Sequence, residues 1–331
     1  MFSEVLRFEL SYHLKSRLFL FGCIVFFLLA FLGVASPNVS FGGLGGANYN
    51  SPFALLQMQI GLAMIGVLVG AAFFNSAALR DNDQRMAEIM YSTRISKSAY
   101  VVGRFIGAFV ATYVVFLASG VGFALGALMP WLDPELIGSF ELSHYVHSSV
   151  VIGLPALFAN SVIVYSLAVL TRDQRIAYAG ILGLLVLYQV ASAMLGQYDY
   201  RVAAALVDPS AGAALSEVLQ YWTVFERNTE VVPLEGTLLL NRILWLLVGM
   251  LLLAFTLWRF EFVLSKKKAR KKKYEEQTDV VTSSAPADFS HNAAAFTAST
   301  GLHQFFARTR FEVRGVVRSV FFWVLVGLAV A

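Results

Sequence analysis

The sequence predicts an all-α polytopic membrane protein: six transmembrane helices behind an N-terminal interfacial helix, followed by the start of a second repeat. Three observations carry this reading. Hydrophobic residues make up 58% of the chain and charged residues 14%, against roughly 45–50% and about 25% in soluble domains. Six apolar runs reach the roughly 20 residues that cross a hydrocarbon core. Lysine and arginine gather in alternate connections between those runs, as the positive-inside rule requires.

The first element is short. Phe2, Val5, Leu6, Glu9, Leu10 and His13 recur at helical spacing, with Arg7 and Lys15 flanking the apolar stripe. This predicts a helix lying along the membrane surface, with Phe2, Leu6, Arg7, Phe8, Glu9 and Leu10 as its interfacial residues. The spans follow at about Leu18–Ala35, Phe53–Phe74, Phe105–Met129, Val150–Leu170, Ala177–Leu195 and Leu238–Trp258. Lipid offers backbone groups no outside partner, so the spans are helices, and they are too long for barrel strands. The first run is longer than the 7–15 residues of a typical cleaved leader's core, so it is read as a permanent span.

One set of connections carries Arg7, Lys15, Arg17, Arg80, Arg85, Arg94, Lys97, Arg104, Arg172, Arg175, Arg259 and the basic run from Lys266 to Lys273. The other holds only Arg201, Arg227 and Arg242. Both the N-terminus and the 265–300 segment are therefore expected in the cytoplasm. The pI near 9.1 is a topology signal and not a nucleic-acid footprint; the basic run beside a span suits anionic lipid. The single cysteine, Cys23, permits no intramolecular disulfide.

The chain divides by composition. Residues 1–265 hold the six spans. Residues 266–300 are rich in charge, Ser, Thr and Ala without apolar period, and read as a flexible cytoplasmic linker. Residues 301–331 read as a second beginning. Shifted by 303 positions, Phe2, Arg7, Phe8, Glu9, Ser16 and Phe19 meet Phe305, Arg310, Phe311, Glu312, Ser319 and Phe322. A seventh apolar run starts near Val320, so the chain is expected to be part of a longer tandem protein, with 301–331 a truncated second module.

The connection from Asn75 to Phe105 is the most informative. Met86, Ile89, Met90 and Thr93 are spaced to share one helical face, ringed by Arg80, Asp81, Asp83, Arg85, Glu88, Arg94 and Lys97. A simple return needs only a few residues, as Thr171–Arg175 shows. A short amphipathic helix with mixed charge suits docking of a soluble partner. The docking residues are Arg85, Met86, Glu88, Ile89, Met90, Arg94 and Lys97.

Other constellations point nowhere. "FGGLGGANYN" lacks the Gly-Lys-Ser/Thr ending of a phosphate loop and reads as a flexible turn. His144 and His147 read as solvent-facing residues of a polar loop, with no metal. Asn160, Ser161 and Gln189 read as polar links between helices, and Pro155 as the site of a kink in the fourth span. No Asp, Glu, Lys or Arg falls at the middle of any span, which disfavours an ion-coupled secondary transporter.

A surface helix, six spans and a docking helix between spans two and three resemble the permeases of ABC-2 type ATP-binding-cassette transporters. The local likeness lies in "EIMYSTRISKSAYVVGRFIGA": an acidic residue, a small-residue turn, a Ser/Arg/Lys stretch, then Gly-Arg entering the third span. That class often has Pro in the turn, where this chain has Ser92-Thr93-Arg94-Ile95. The resemblance implies that Glu88 corresponds to the acidic residue of the ATPase-docking loop. "LVDPSAG", "YWTVFERNTEVVPLEG" and "LLLNRILWL", with the tandem unit, are similar to bacterial fusions of two permease modules with an M1-type aminopeptidase. The resemblance implies a multi-pass protein of the bacterial inner membrane. It implies ATP-driven movement, export by preference, with no cofactor or catalytic residue in this chain. ATP and Mg²⁺ would be bound by a partner ATPase, and a second permease module would be supplied by the full-length chain or a second copy. The alternative is a membrane anchor or regulatory module for a fused peptidase, without transport.

Overall fold

The computed structural model describes residues 1–36, 44–196, 198–262, and a few positions between 304 and 314. Two units separate, Met1–Ser265 and Lys266–Ala331. In the second, Gln304, residues 306–311, Val313 and Arg314 are helical. The expected 266–300 linker and the run from Val320 lie outside the described residues. No strand occurs among the described residues, and six helices are long and apolar enough to cross a membrane. The chain is an all-α polytopic membrane protein.

Local signals in the sequence set the helix ends. α1 (Phe2–Leu14) turns into α2 (Arg17–Ala35) at Ser16, whose Oγ accepts from the Phe19 N–H at 3.1 Å. α3 (Pro52–Asp83) starts on Ser51 as cap with Pro52 at its first position, where the missing N–H costs nothing. At 1.5 Å per residue α3 is about 48 Å long, so its last turns project past a core of about 30 Å. α4 (Ala87–Ser92) is a single short helix, and α5 (Lys97–Gly126) starts on the Ser96 cap.

α6 (Leu142–Ser148), a five-residue π-turn (Ser149–Gly153) and α7 (Leu154–Thr171) form one continuous fourth span. The irregularity expected at Pro155 sits in the turn before it. A π-turn makes room for the proline ring, which would otherwise crowd the carbonyl one turn back. The displaced Ser149 carbonyl accepts from the Tyr113 hydroxyl at 3.3 Å, and the Ser149 Oγ accepts from Gln59 Nε2 at 3.2 Å. α8 (Gln174–Leu195) follows a left-handed residue, Arg172. Short helices α9 (Arg201–Val207), α10 (Gly212–Val218) and α11 (Val224–Thr229) lead to α12 (Gly236–Arg259), the sixth span.

α3 and the fourth span form the centre, while α2 lies along α5 and α12 along α7. Lipid is as apolar as leucine, so close contact and polar links hold such helices together. Gly122 on α5 is one such contact: any side chain there would strike the Phe27 carbonyl oxygen of α2.

Three expectations need correction. Spans two and three run further than their apolar stretches, to Asp83 and from Lys97, because the charged turns at their ends are paired inside the bundle. The fourth span begins at Leu142 and not Val150, so His144 and His147 belong to a helix. His144 is buried beside Glu141, its Nε2 3.3 Å from the carboxylate, and is not a solvent-facing loop residue. Arg242 is no loop cation either: it lies buried in the early turns of α12 and donates to the Pro209 carbonyl at 3.0 Å. The adjacent Asn241 Nδ2 donates to the Asp208 carbonyl at 2.8 Å. "LVDPSAG" and "LLLNRILWL" are thus two sides of one contact.

Candidate functional site

The site is built where α1, α3, α4 and α5 meet, at one end of the bundle. α3 ends at Asp83, and the chain reverses through Arg85, whose φ is 58°. A non-glycine residue seldom adopts this left-handed conformation. α4 begins immediately after, with Met86 as its N-cap. Six residues make fewer than two turns, too short to hold together alone, so α4 depends on what lies beneath it.

Two α4 residues supply that support. Ala87 is buried, and Tyr91 sets its ring edge-on to Tyr100 of α5, centroids 5.9 Å apart. Phe260, just past α12, stacks on Tyr100 at 5.3 Å, and Phe262 meets both tyrosines at 5.2 and 5.5 Å. The Tyr100 hydroxyl donates to Asp81 Oδ2 at 3.0 Å. An aromatic cluster thus joins α4 to α3, α5 and the end of α12.

Below it lies a buried ion cluster. Arg104 Nη2 donates to Asp81 Oδ2 at 2.7 Å, and its Nη1 donates to the Ala77 carbonyl at 3.0 Å. The Arg104 guanidinium lies 4.2 Å over the Tyr100 ring, and its Nε stands 3.4 Å from Glu9 Oε1. Arg80 grips Glu9 with two nitrogens, Nη1 donating to Oε2 at 3.2 Å and Nη2 to Oε1. The same guanidinium lies 4.2 Å from the centre of the Tyr12 ring and 5.3 Å from Phe8. His13 Nε2 stands 3.4 Å from Glu9 Oε2. Glu9, Arg80, Asp81 and Arg104 are each no more than 7% exposed. Two carboxylates balance two guanidiniums, which lets a charge group survive at this depth. Burial alone would push the Glu9 carboxyl up; the nearby His13, the hydrogen bonds from Arg80 and the two guanidinium charges outweigh it and hold the group below the ordinary carboxylate range.

Glycine admits α1 to the cluster. A Cβ at Gly107 would stand 2.5 Å from Glu9 Cβ, and one at Gly103 would meet Val5 at 3.3 Å. The Val5–Glu9 stripe, read as membrane-facing, lies instead against α5. Of the six interfacial residues, Phe2, Arg7 and Phe8 are exposed, Leu6 and Leu10 half-buried, and Glu9 buried. Glu9 is a structural anion of the bundle.

The seven loop residues occupy the outer side of the same end. Arg85, Met86, Glu88, Ile89, Arg94 and Lys97 are exposed, and Met90 is half-buried. Ile89 at 60% and Met86 at 44% exposure leave apolar surface uncovered. Thr93 does not share their face, because α4 stops at Ser92 and Thr93 caps it in extended conformation. Arg94 lies in the link to α5, and Lys97 is the first residue of α5. Among the described residues, no salt bridge joins Arg85, Glu88, Arg94 or Lys97. Their charges face outward.

Sequence reasoning named these exposed residues and missed the cluster that supports them. Arg80, Asp81 and Arg104 were counted among the loop charges, though each stands beside apolar neighbours at helical spacing. No group of three or more metal-ligating side chains occurs among the described residues. No protein-family model matches the chain, and no curated protein matches it.

Proposed function

We propose that this chain is the transmembrane permease module of an ATP-binding-cassette transporter, driven by a separate ATPase that docks on α4. The observation that carries the proposal is an exposed six-residue helix bound through Tyr91 and Tyr100 to a buried ion cluster. A connector would need neither the uncovered Ile89 nor a rigid route into the bundle. In this reading the end bearing α1 and α4 is cytoplasmic, in a bacterial inner membrane.

The partner's groove takes Met86, Ile89 and Met90, with Arg85, Glu88, Arg94 and Lys97 meeting charges at its rim. ATP and Mg²⁺ belong to that partner. When it closes, force on α4 passes through Tyr91 and Tyr100 to Asp81 and Arg104. It reaches α1 through Glu9, so α1, α3 and α5 shift together. A second permease module, from the full-length chain or a second copy, completes the transporter, and the basic run 266–273 holds anionic lipid. Substrate export by alternating access is the favoured direction. The fused-peptidase anchor remains the second reading; substrate-stimulated ATP hydrolysis separates the two.

A photo-crosslinking residue at position 89 tests the reading. It should capture an ATPase carrying a phosphate-binding loop, whereas the same probe at Tyr221, 83% exposed at the opposite end, should not. Capture of no ATPase at position 89 in membranes containing the full native complement would refute it.

A further inference from the structure

At the end of the bundle that carries α1 and α4, a cleft of about 300 Å³ opens between α1, the last turns of α3 and the start of α8. That volume is at the lower end of small-molecule sites, about 300–1,000 Å³. Tyr12 and Tyr178 line it with aromatic surface, and Asn75, Arg80, Asp83 and Gln174 supply polar groups.

Asn75 is the unusual member. It is 4% exposed, yet neither its Oδ1 nor its Nδ2 has a hydrogen-bond partner. Buried side-chain amides are ordinarily paired, and Asn75 lies well inside α3, where it caps nothing. It therefore offers the cleft one donor and one acceptor side by side. The charge of the lining limits what can answer them. Arg80 is already engaged by both oxygens of Glu9, so an anion gains no uncommitted cation there. Asp83, exposed at the rim, repels anions and attracts cations.

We propose that this cleft binds a short peptide or amino-acid amide, neutral or positively charged. The ligand carbonyl accepts from Asn75 Nδ2 and its N–H donates to Asn75 Oδ1. A primary amide, or the N–H and C=O of one extended residue, satisfies this paired arrangement, since the two groups of a single trans peptide unit point apart. Tyr12 and Tyr178 pack against its apolar flanks, and Asp83 faces a cationic amino terminus. The proposal is independent of ATPase docking, since binding is read without ATP or partner.

The test uses the full chain in lipid nanodiscs, with saturation-transfer NMR titrations of alanyl-alaninamide and N-acetylalanine methylamide, and inorganic phosphate as the anion. Both amides should bind and phosphate should not, and Asn75→Leu should weaken both amides at least tenfold. Unchanged amide binding in Asn75→Leu, or tighter binding of phosphate, overturns the proposal. Should Asn75→Leu fold poorly, a cysteine at the exposed rim decides: in a Cys23→Ser, Gln174→Cys chain, saturating alanyl-alaninamide should slow thiol alkylation at least threefold. No slowing overturns the site.

Discussion

Replacing Glu9 by Gln keeps the shape of the side chain and removes the charge on which α1 depends. It leaves Arg80 and Arg104 facing Asp81 alone, two guanidiniums against one carboxylate, all at most 7% exposed. Leaving a buried charge uncompensated costs about 3–5 kcal/mol. The amide still accepts one hydrogen bond from Arg80, so the lower end applies, about 3 kcal/mol or roughly a 100-fold shift in the equilibrium that detaches α1. Adding Arg80→Met restores neutrality, because Arg104 and Asp81 remain paired. The double variant should regain stability, with a coupling of about 1–3 kcal/mol between the two sites. Hydrogen exchange of the α1 amides in nanodiscs, alongside thermal unfolding, measures both. If Glu9→Gln stays within about 0.5 kcal/mol of wild type, the range of a neutral surface change, and Arg80→Met is not rescued by it, the cluster does not hold α1.

Three further outcomes follow from the same geometry. Gly107→Leu should push α1 away from α5, since even a Cβ there stands 2.5 Å from Glu9. A loss of about 1–3 kcal/mol is expected, and unchanged α1 exchange would contradict the close approach. Glu9 is held below its ordinary value of 4.5, so its contribution is present above that pH and is lost as pH falls through the lowered folded-state value. The acid loss should be weaker in Glu9→Gln, and equal acid profiles would disprove the assignment. In a Cys23→Ser chain, an impermeant thiol reagent added to intact cells should label Tyr221→Cys and spare Gln84→Cys, both at exposed positions on opposite ends; labelling of position 84 would reverse the proposed topology.

The spans were legible because an apolar run of membrane length leaves the backbone few alternatives. Their ends were not. Apolarity stops near Phe74, yet α3 continues to Asp83 because Arg80 and Asp81 find partners on α1 and α5 that no local pattern reveals. Glu9 illustrates the same limit: its place in an apolar stripe was visible, but its direction depended on Gly107, nearly a hundred residues away. His144 was misplaced because its polar neighbours, Glu141 and Ser148, resemble loop composition, although Glu141 is the residue before the span's first turn and Ser148 lies within the span. The exposed residues of α4 were legible from spacing and charge alone. The tyrosine support was not, since Tyr91 and Tyr100 look like ordinary members of their segments.

Docking on α4 is the claim from which the transport reading follows, and co-purification with coupled ATP hydrolysis tests it most directly. Glu88→Lys and Ile89→Asp alter residues that are exposed and whose charge or apolar surface faces outward, so both variants should reach the membrane at wild-type levels. Placing an aspartate in the groove at position 89 should cost about 2–5 kcal/mol, the range for a lost buried contact at an interface, and reduce ATPase recovery roughly 30-fold or more. The Glu88 reversal at the rim sets like charges together and slows encounter. Both variants should therefore lose the ATPase and the ATP-dependent activity while keeping normal insertion. Full ATPase recovery and full coupled activity in both would mean that α4 is only a connector.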